Sequence, residues 1–292
     1  MELPSWASDV DLTRPSAGRV YDYLLGGSHN YGIDREMARQ LLDVYPDIRR
    51  IARSNRSFLR RAVQYLAAAG IDQFLDIGSG IPTIGNVHAL AQDINPAAVV
   101  AYVDVDPVSV SHSAAILAGN DRAIAIRADL RDPDAVLGSP QLRGLFDLNR
   151  PVAILMVAVL HFVPDADDPA GAIARYADAV PEGSYLAISH AVRRLDGIET
   201  VGGKEVMELY ERNAATVWPR TRAELTGFFG GWELVEPGVV PVPHWHPESP
   251  DTVERDPERL RREFYAGVAR KPSGHKASSH ETSGPTPRAG SR

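Results

Sequence analysis

The chain has 292 residues, 44% of them hydrophobic, with a net charge of −7 and no cysteine. Disulfides, thiolate metal sites and a cysteine nucleophile are therefore excluded, and the acidic balance argues against nucleic acid as a partner. The longest apolar run, Val152 to Leu160, is far short of the ~20 residues that cross a membrane, and the start shows no signal-peptide pattern, so a soluble cytoplasmic protein is expected.

Residues 1–13 read as a flexible start. Residues 14–70 have a helical pattern and are expected to form an N-terminal cap. Within it, "RVYDYLLGGSHNYGIDREMARQ" has a short helix broken at Gly26-Gly27 and a second helix starting near Asp34. A third helix, in "SNRSFLRRAVQYLAAAG", puts Phe58, Leu59, Ala62, Val63 and Leu66 on one face and stops at Gly70.

The period changes after residue 70. "QFLDIG", "VVAYVDV", "AIAIRADL", "PVAILMVAVL" and "SYLAISHA" are short apolar runs separated by helical segments. That alternation predicts a doubly wound α/β fold whose mostly parallel sheet is covered on both faces. A polar helix, "KEVMELYERNAATVW", follows. Thr221 and Glu224 then have capping-box spacing, and Gly230-Gly231 precede a strand at Trp232. "VVPVPHW" reads as a last edge strand because of its two prolines. A reversed end to the sheet is expected near Trp232 and Val239. The fold domain is taken as 71–268, and 269–292, poor in large apolar residues, as a disordered tail.

The chemistry sits at "FLDIGSGIPTIGN". A strand running into Gly78 and Gly80 and then a helix is a nucleotide-type turn. The dinucleotide fingerprint needs glycine where Thr83 stands, and a P-loop needs Lys-Ser/Thr where Asn86-Val87 stand. Asp76 would repel a pyrophosphate and welcome an ammonium, as on the amino-acid part of S-adenosylmethionine. Asp104 ends the second strand and can accept from ribose hydroxyls, with Val105 and Asp106 beside it. Asp129 ends the third and can accept from the adenine amine, with Leu130 facing the ring.

"DIGSG", "YVDVDP" and "RADL" resemble the first three motifs of class I S-adenosylmethionine-dependent methyltransferases. The wider match is to the actinobacterial S-adenosyl methyltransferase family, formerly a domain of unknown function. It is carried by "RVYDYLLGGSHNYGIDRE", "NRSFLRRAVQYL", "FLDIGSGIPTIGNVH", "YVDVDPVSVSH" and "TRAELTGFFGGWELVEPGVV". The resemblance implies a Rossmann-like methyltransferase fold and cofactor binding, and says little about the acceptor. Pro82 replaces the third glycine of the general pattern, which removes one N–H; Ser79 can supply a hydroxyl instead.

Methyl transfer needs a base only if the acceptor must lose a proton. His161, after the fourth strand, and His190, ending the fifth, are the candidates. Tyr21, Tyr23 and Tyr31 flank Gly26-Gly27 and can face a sulfonium, and Arg56 can reach the cofactor carboxylate. Residues 14–35 are expected to close over the cofactor as a lid. His88 reads as a packing or surface residue, and His244 with His246 as at most half a metal site, so no metal is expected. A small-molecule acceptor is the favoured substrate. The rival is a non-catalytic S-adenosylmethionine-binding regulator, which a filled acceptor cavity would favour.

Overall fold

The computed structural model describes residues 13–82, 85–193, 203–249 and 263–273. Three helices come first: α1 (Ala17–Leu25), α2 (Gly32–Val44) and α3 (Ile48–Ala68). Then strands and helices alternate: β1 (Gln73–Ile77), α4 (Val87–Ile94), β2 (Val99–Asp104), α5 (Pro107–Ile116), β3 (Ala123–Arg127), α6 (Pro133–Leu137), α7 (Pro140–Leu145), β4 (Ala153–Val157), α8 (Pro169–Asp178) and β5 (Tyr185–Ala191). The chain continues through α9 (Gly203–Asn213), α10 (Arg222–Gly227), β6 (Glu233–Leu234), β7 (Val240–Pro241) and β8 (Phe264–Arg270).

The sheet order is β3-β2-β1-β4-β5-β8-β6, with β7 also paired to β8. β1 to β5 are parallel, and β8 is antiparallel to β5, β6 and β7. The reversed end expected near Trp232 and Val239 exists, but β8 is the strand that reverses. It lies in a stretch the sequence did not flag, and it runs through residues 269 and 270, which were assigned to the tail. "VVPVPHW" makes only the two-residue β7 and then a single turn of 3-10 helix, Val242–His244, because its prolines cannot continue a ladder. The two histidines therefore do not share a strand face, and His246 Nε2 lies 2.7 Å from the Glu236 carbonyl.

Period-two alternation divides the core into two layers. Phe74, Val100, Tyr102 and Leu155 pack with α3 and α4, while Leu75, Ile77, Val103 and Met156 pack with α6 to α8 and α10. The predicted α3 face is buried at all five positions, each large side chain contributing about 1.5–3 kcal/mol relative to exposure. Gly70 ends this helix region at φ 91°, a left-handed conformation that glycine adopts without steric cost. Asp76 has the parity of Phe74 and so lies on the α3 side of the sheet. The helices of residues 14–70 split in role. α1, α2 and the first turns of α3 form a separate cluster with α9, through Val20, Leu24, Met37, Leu41, Ile48, Ala52, Val206 and Leu209. The rest of α3 belongs to the sheet core.

Candidate functional site

A cavity of about 630 Å³ opens at the carboxyl ends of the parallel strands. The glycine turn forms its floor. Gly78 has φ 69° and Gly80 φ 60°. A Cβ on Gly78 would sit inside the van der Waals shell of the Val159 side chain, so this position needs glycine for space as well as for backbone angle. The turn satisfies itself: the Val103 carbonyl accepts from Gly78 N (2.8 Å) and Ser79 N (3.1 Å), and Asp104 Oδ2 accepts from Gly80 N (2.7 Å). Ser79 Oγ donates to the Gly80 carbonyl at 3.3 Å. These N–H groups are not presented to a phosphate, in agreement with the failed phosphate fingerprints. Thr83 lies outside the described residues.

Asp76 is 4% exposed and lines the cavity with Arg56. Burial raises its carboxyl to about 7, against a lowering by Arg56 and with a smaller push from Asp104. Among the described residues no donor is bonded to the Asp76 carboxylate. A buried acid beside a half-buried guanidinium suits a ligand that brings its own ammonium and carboxylate. Asp104 is also raised, to about 6, by burial, which outweighs the N–H bonds it receives from Asp106 and Gly80. Asp106 caps α5, accepting from Val108 N at 2.9 Å, and pairs with Arg19 at 3.4 Å. Asp104 is engaged as well, its two oxygens accepting from Gly80 N (2.7 Å) and Asp106 N (2.9 Å). Asp129 is gripped by Arg131 at 2.6 Å, which holds its carboxyl below the usual range. Leu130 and Val105 line the same end of the cavity, with Val105 61% exposed.

The N-terminal helix closes the roof. Arg14 to Arg19, Tyr21 and Leu24 line the cavity. A latch that sequence reasoning missed holds this segment. Buried Arg19 donates to Asp34 (2.9 Å), Asp106 (3.4 Å) and the Arg14 carbonyl (2.8 Å), and Asp34 also accepts from Ser16 N and Tyr31 N. The capping position of Asp34 was a visible signal; its long-range partners were not. Gly26-Gly27 do form the bend, with Gly26 at φ 92° ending α1 and Gly27 packed so closely on Asp22 that no Cβ fits.

The tyrosines fare differently. Tyr21 reaches the cavity, donating to the Ala52 carbonyl and accepting from Asn55. Tyr23 and Tyr31 are not in its wall. Tyr23 lies under Arg49 and Tyr31 under Arg19, because the period of α1 turns Tyr23 away from the face that carries Tyr21. Tyr23 is thus corrected from cofactor contact to packing.

Of the two histidines, only His161 lines the cavity. It is 5% exposed, and its Nδ1 is buried without a hydrogen-bond partner. Burial, then His190 and Arg220, keep the ring well below its ordinary pKa, so it is neutral. His190 is fully buried behind it. Its Nδ1 lies 2.6 Å from the Ala191 carbonyl and its Nε2 3.0 Å from Arg220 Nη1, and its pKa is lowered to about 4, chiefly by burial. With both nitrogens engaged inside the protein, His190 is corrected from candidate base to structural partner. Arg220, also missed, donates to the Leu160 and Val163 carbonyls and to Asp165 as well. It thereby fixes the turn after β4, where Ala158 is held at φ 57°. His88 is a packing residue, its Nδ1 2.8 Å from the Tyr102 hydroxyl.

The family model for S-adenosyl methyltransferases matches residues 4–272. The chain belongs to the S-adenosyl methyltransferase family. S-adenosylmethionine is the family's cofactor, and the acid–guanidinium pair with the self-closed turn fits it. Two solved structures are similar over nearly their whole length. A DUF574-family protein from Streptomyces avermitilis is 40% identical, with 90% of this chain and 99% of that one covered and a TM-score of 0.84. A protein from Thermobifida fusca, provisionally described as a methyltransferase, is 38% identical, with 90% and 97% covered and a TM-score of 0.83. No curated protein matches the chain. No helix among the described residues is long and apolar enough to cross a membrane.

Proposed function

We propose that this protein is a working methyltransferase that passes the methyl group of S-adenosylmethionine to a small-molecule acceptor. One observation carries the reading. The cavity does not end at the cofactor acids but runs on past β4 to Phe162, Tyr210 and Phe264, and its volume of about 630 Å³ falls within the roughly 300–1,000 Å³ of small-molecule sites. A regulator that only sensed the cofactor would have no need of that further space.

The cofactor, when bound, supplies an electrophilic methyl group on a sulfonium. Asp76 would take its ammonium, Arg56 its carboxylate and Asp104 its ribose hydroxyls. Val105, Asp129 and Leu130 would hold the adenine end. Gly78, Ser79 and Gly80 let the ligand approach the strand end closely. The chain's contribution to rate is then positioning and exclusion of water, which can supply most of what a displacement needs. His161, neutral and at the acceptor wall, can accept a hydrogen bond or a proton from the acceptor atom. Its low pKa makes it a weak base, so it serves best where the acceptor proton is already acidified by transfer. Residues 14–35 act as the lid, and the cofactor-binding domain runs from residue 71 to the end of β8 at residue 270.

The test is incubation of the purified protein with methyl-labelled cofactor and a metabolite extract from the producing cells. Transfer of label to a small product, dependent on the protein, is expected. Cofactor binding with no label leaving the cofactor in any extract would favour the regulator instead.

A further inference from the structure

The cavity is divided by charge. Its described wall contains four arginines and four aspartates: Arg14, Arg19, Arg56, Arg131, Asp76, Asp104, Asp106 and Asp129. All of them belong to the N-terminal roof, to α3 over β1, or to the ends of β1, β2 and β3. Most are already matched, as Arg19 with Asp106, Arg131 with Asp129, and Arg56 near Asp76. Crossing the sheet to β4, β5 and β8, the wall changes. From Val157 to Val163, through Ala191 and α9, and from Ala214 to Phe264, its described residues include no Asp, Glu, Lys or Arg. The facing residues of α1 and α3 are Tyr21, Leu24, Ile48, Ile51, Ala52, Asn55 and Leu59, again without charge apart from Arg56.

The polar groups on this side are few, and some are spent. Asn55 donates to the Tyr21 hydroxyl (3.0 Å) and accepts from Ser189 Oγ (2.6 Å), and the Tyr21 hydroxyl donates to the Ala52 carbonyl (3.0 Å). Two groups remain. The Tyr210 hydroxyl has no hydrogen-bond partner among the described residues, and the His161 ring lines the cavity, its unpartnered Nδ1 buried within the wall. Both sit among aromatic rings. His161 lies 4.4 Å from Phe162 and 5.5 Å from Phe264 between centroids, and Phe162 lies 6.0 Å from Tyr210. Burying an ion against such a wall is penalised by lost hydration when no opposite charge meets it. A neutral ring with one hydrogen-bonding group incurs no such penalty and gains contact with the aromatic faces.

We infer that the acceptor is an uncharged, largely apolar molecule, with an aromatic or similarly flat body, oriented through one polar group by Tyr210 and His161. This rests on the methyltransferase reading above and narrows it. Phosphates, carboxylates and protonated amines would meet no opposite charge on the described wall of this side and are disfavoured as acceptors.

The inference is tested with three probes of like shape and different charge: naphthol, naphthoate and naphthylmethylammonium. Each is titrated at pH 7 into protein saturated with S-adenosylhomocysteine, with binding followed by probe fluorescence and calorimetry. Naphthol should bind at least about tenfold more tightly than either ion, a difference of about 1.4 kcal/mol. Tyr210→Phe should weaken naphthol by about threefold or more. Met207 lies in α9 and lines the same side of the cavity, and Met207→Lys should reverse the preference between naphthol and naphthoate. In both variants S-adenosylhomocysteine should bind as in the wild type, which also shows that they fold. An ion that binds the loaded wild type as tightly as naphthol, no naphthol binding at all, or variants that keep the wild-type order would overturn the inference and leave the cofactor reading intact. Failure of S-adenosylhomocysteine to bind the wild type would instead remove the reading beneath it, and this inference with it.

Discussion

Asp76 gives the sharpest test of how the cofactor is held. Its carboxyl titrates near 7 in the ligand-free protein, because burial outweighs the pull of Arg56. An ammonium ligand binds the carboxylate and not the acid, so only the ionised fraction is competent. For a group near 7 that fraction is about 0.1 at pH 6 and about 0.7 at pH 7.4. The ligand's α-amino group, with a pKa of about 7.7–8.0, loses its charge just above. The affinity for S-adenosylmethionine should therefore rise about fivefold, or about 1 kcal/mol, between pH 6 and 7.4 and fall again beyond pH 8. Binding lowers the Asp76 pKa, so at pH 6 close to one proton, about 0.9, should be released per ligand bound. Calorimetry in two buffers of different ionisation enthalpy measures that number directly. Asp76→Asn should remove most of the acid limb and of the proton release, and weaken binding at the optimum by about 1.5–3 kcal/mol, the worth of a charged hydrogen bond. Asp104, raised to about 6, is about half ionised at pH 6 and adds a shallower limb of at most about twofold over the same range, which the variant isolates. Affinity that is flat from pH 6 to 7.4, or an Asp76→Asn protein that binds within twofold of the wild type, would refute the assignment.

The same shift acts on the empty protein. The folded-state pKa of Asp76 lies above its unfolded value, so folding takes up a proton between pH ~4 and ~7 and stability is lost as pH rises through that window; ligand-free Asp76→Asn should be about 2–4 kcal/mol more stable than wild type at pH 8 by urea unfolding, and equal or lower stability counts against a buried, uncompensated acid. Gly78→Ala should lower stability by about 1–3 kcal/mol through its positive φ, with further loss from the clash with Val159, and should eliminate cofactor binding; a thermal melt and titration indistinguishable from wild type would show that the turn is not as tight as drawn. Arg220→Ala leaves the Leu160 and Val163 carbonyls and His190 without their donor and should cost about 3–5 kcal/mol of stability, whereas His190→Gln should lower stability without moving the pH profile of methyl transfer; a shifted profile would return His190 to the list of bases. Hydrogen exchange with and without S-adenosylhomocysteine should show added protection in residues 14–35, and protection confined to residues 78–80 would make α1 and α2 a fixed buttress.

Whatever depends on near neighbours along the chain was legible in the residues alone. Apolar runs of strand length alternating with helices fixed the parallel sheet of β1 to β5. The face of α3, the Thr221–Glu224 capping box and the bend at Gly26-Gly27 could be read because period and turn chemistry act over a few residues. The acids at three strand ends could be read as well, since a parallel sheet must bring the ends of its strands to one side. Other features depend on contacts between residues far apart in the chain. β8 takes its place between β5 and β6 through pairing such as Ser189 with Ala266, and no local pattern encodes a partner so distant. The same strand end that made His190 look catalytic turns its ring inward, onto an arginine thirty residues away. Asp106, equal to Asp104 as a ligand on paper, is committed to a helix cap and to Arg19. The charge division of the cavity is a tertiary property too. Its neutral half is assembled from α1, α3, the turn after β4, α9 and the start of β8, segments that meet only when the sheet has formed and the N-terminal helices have closed against its strand ends.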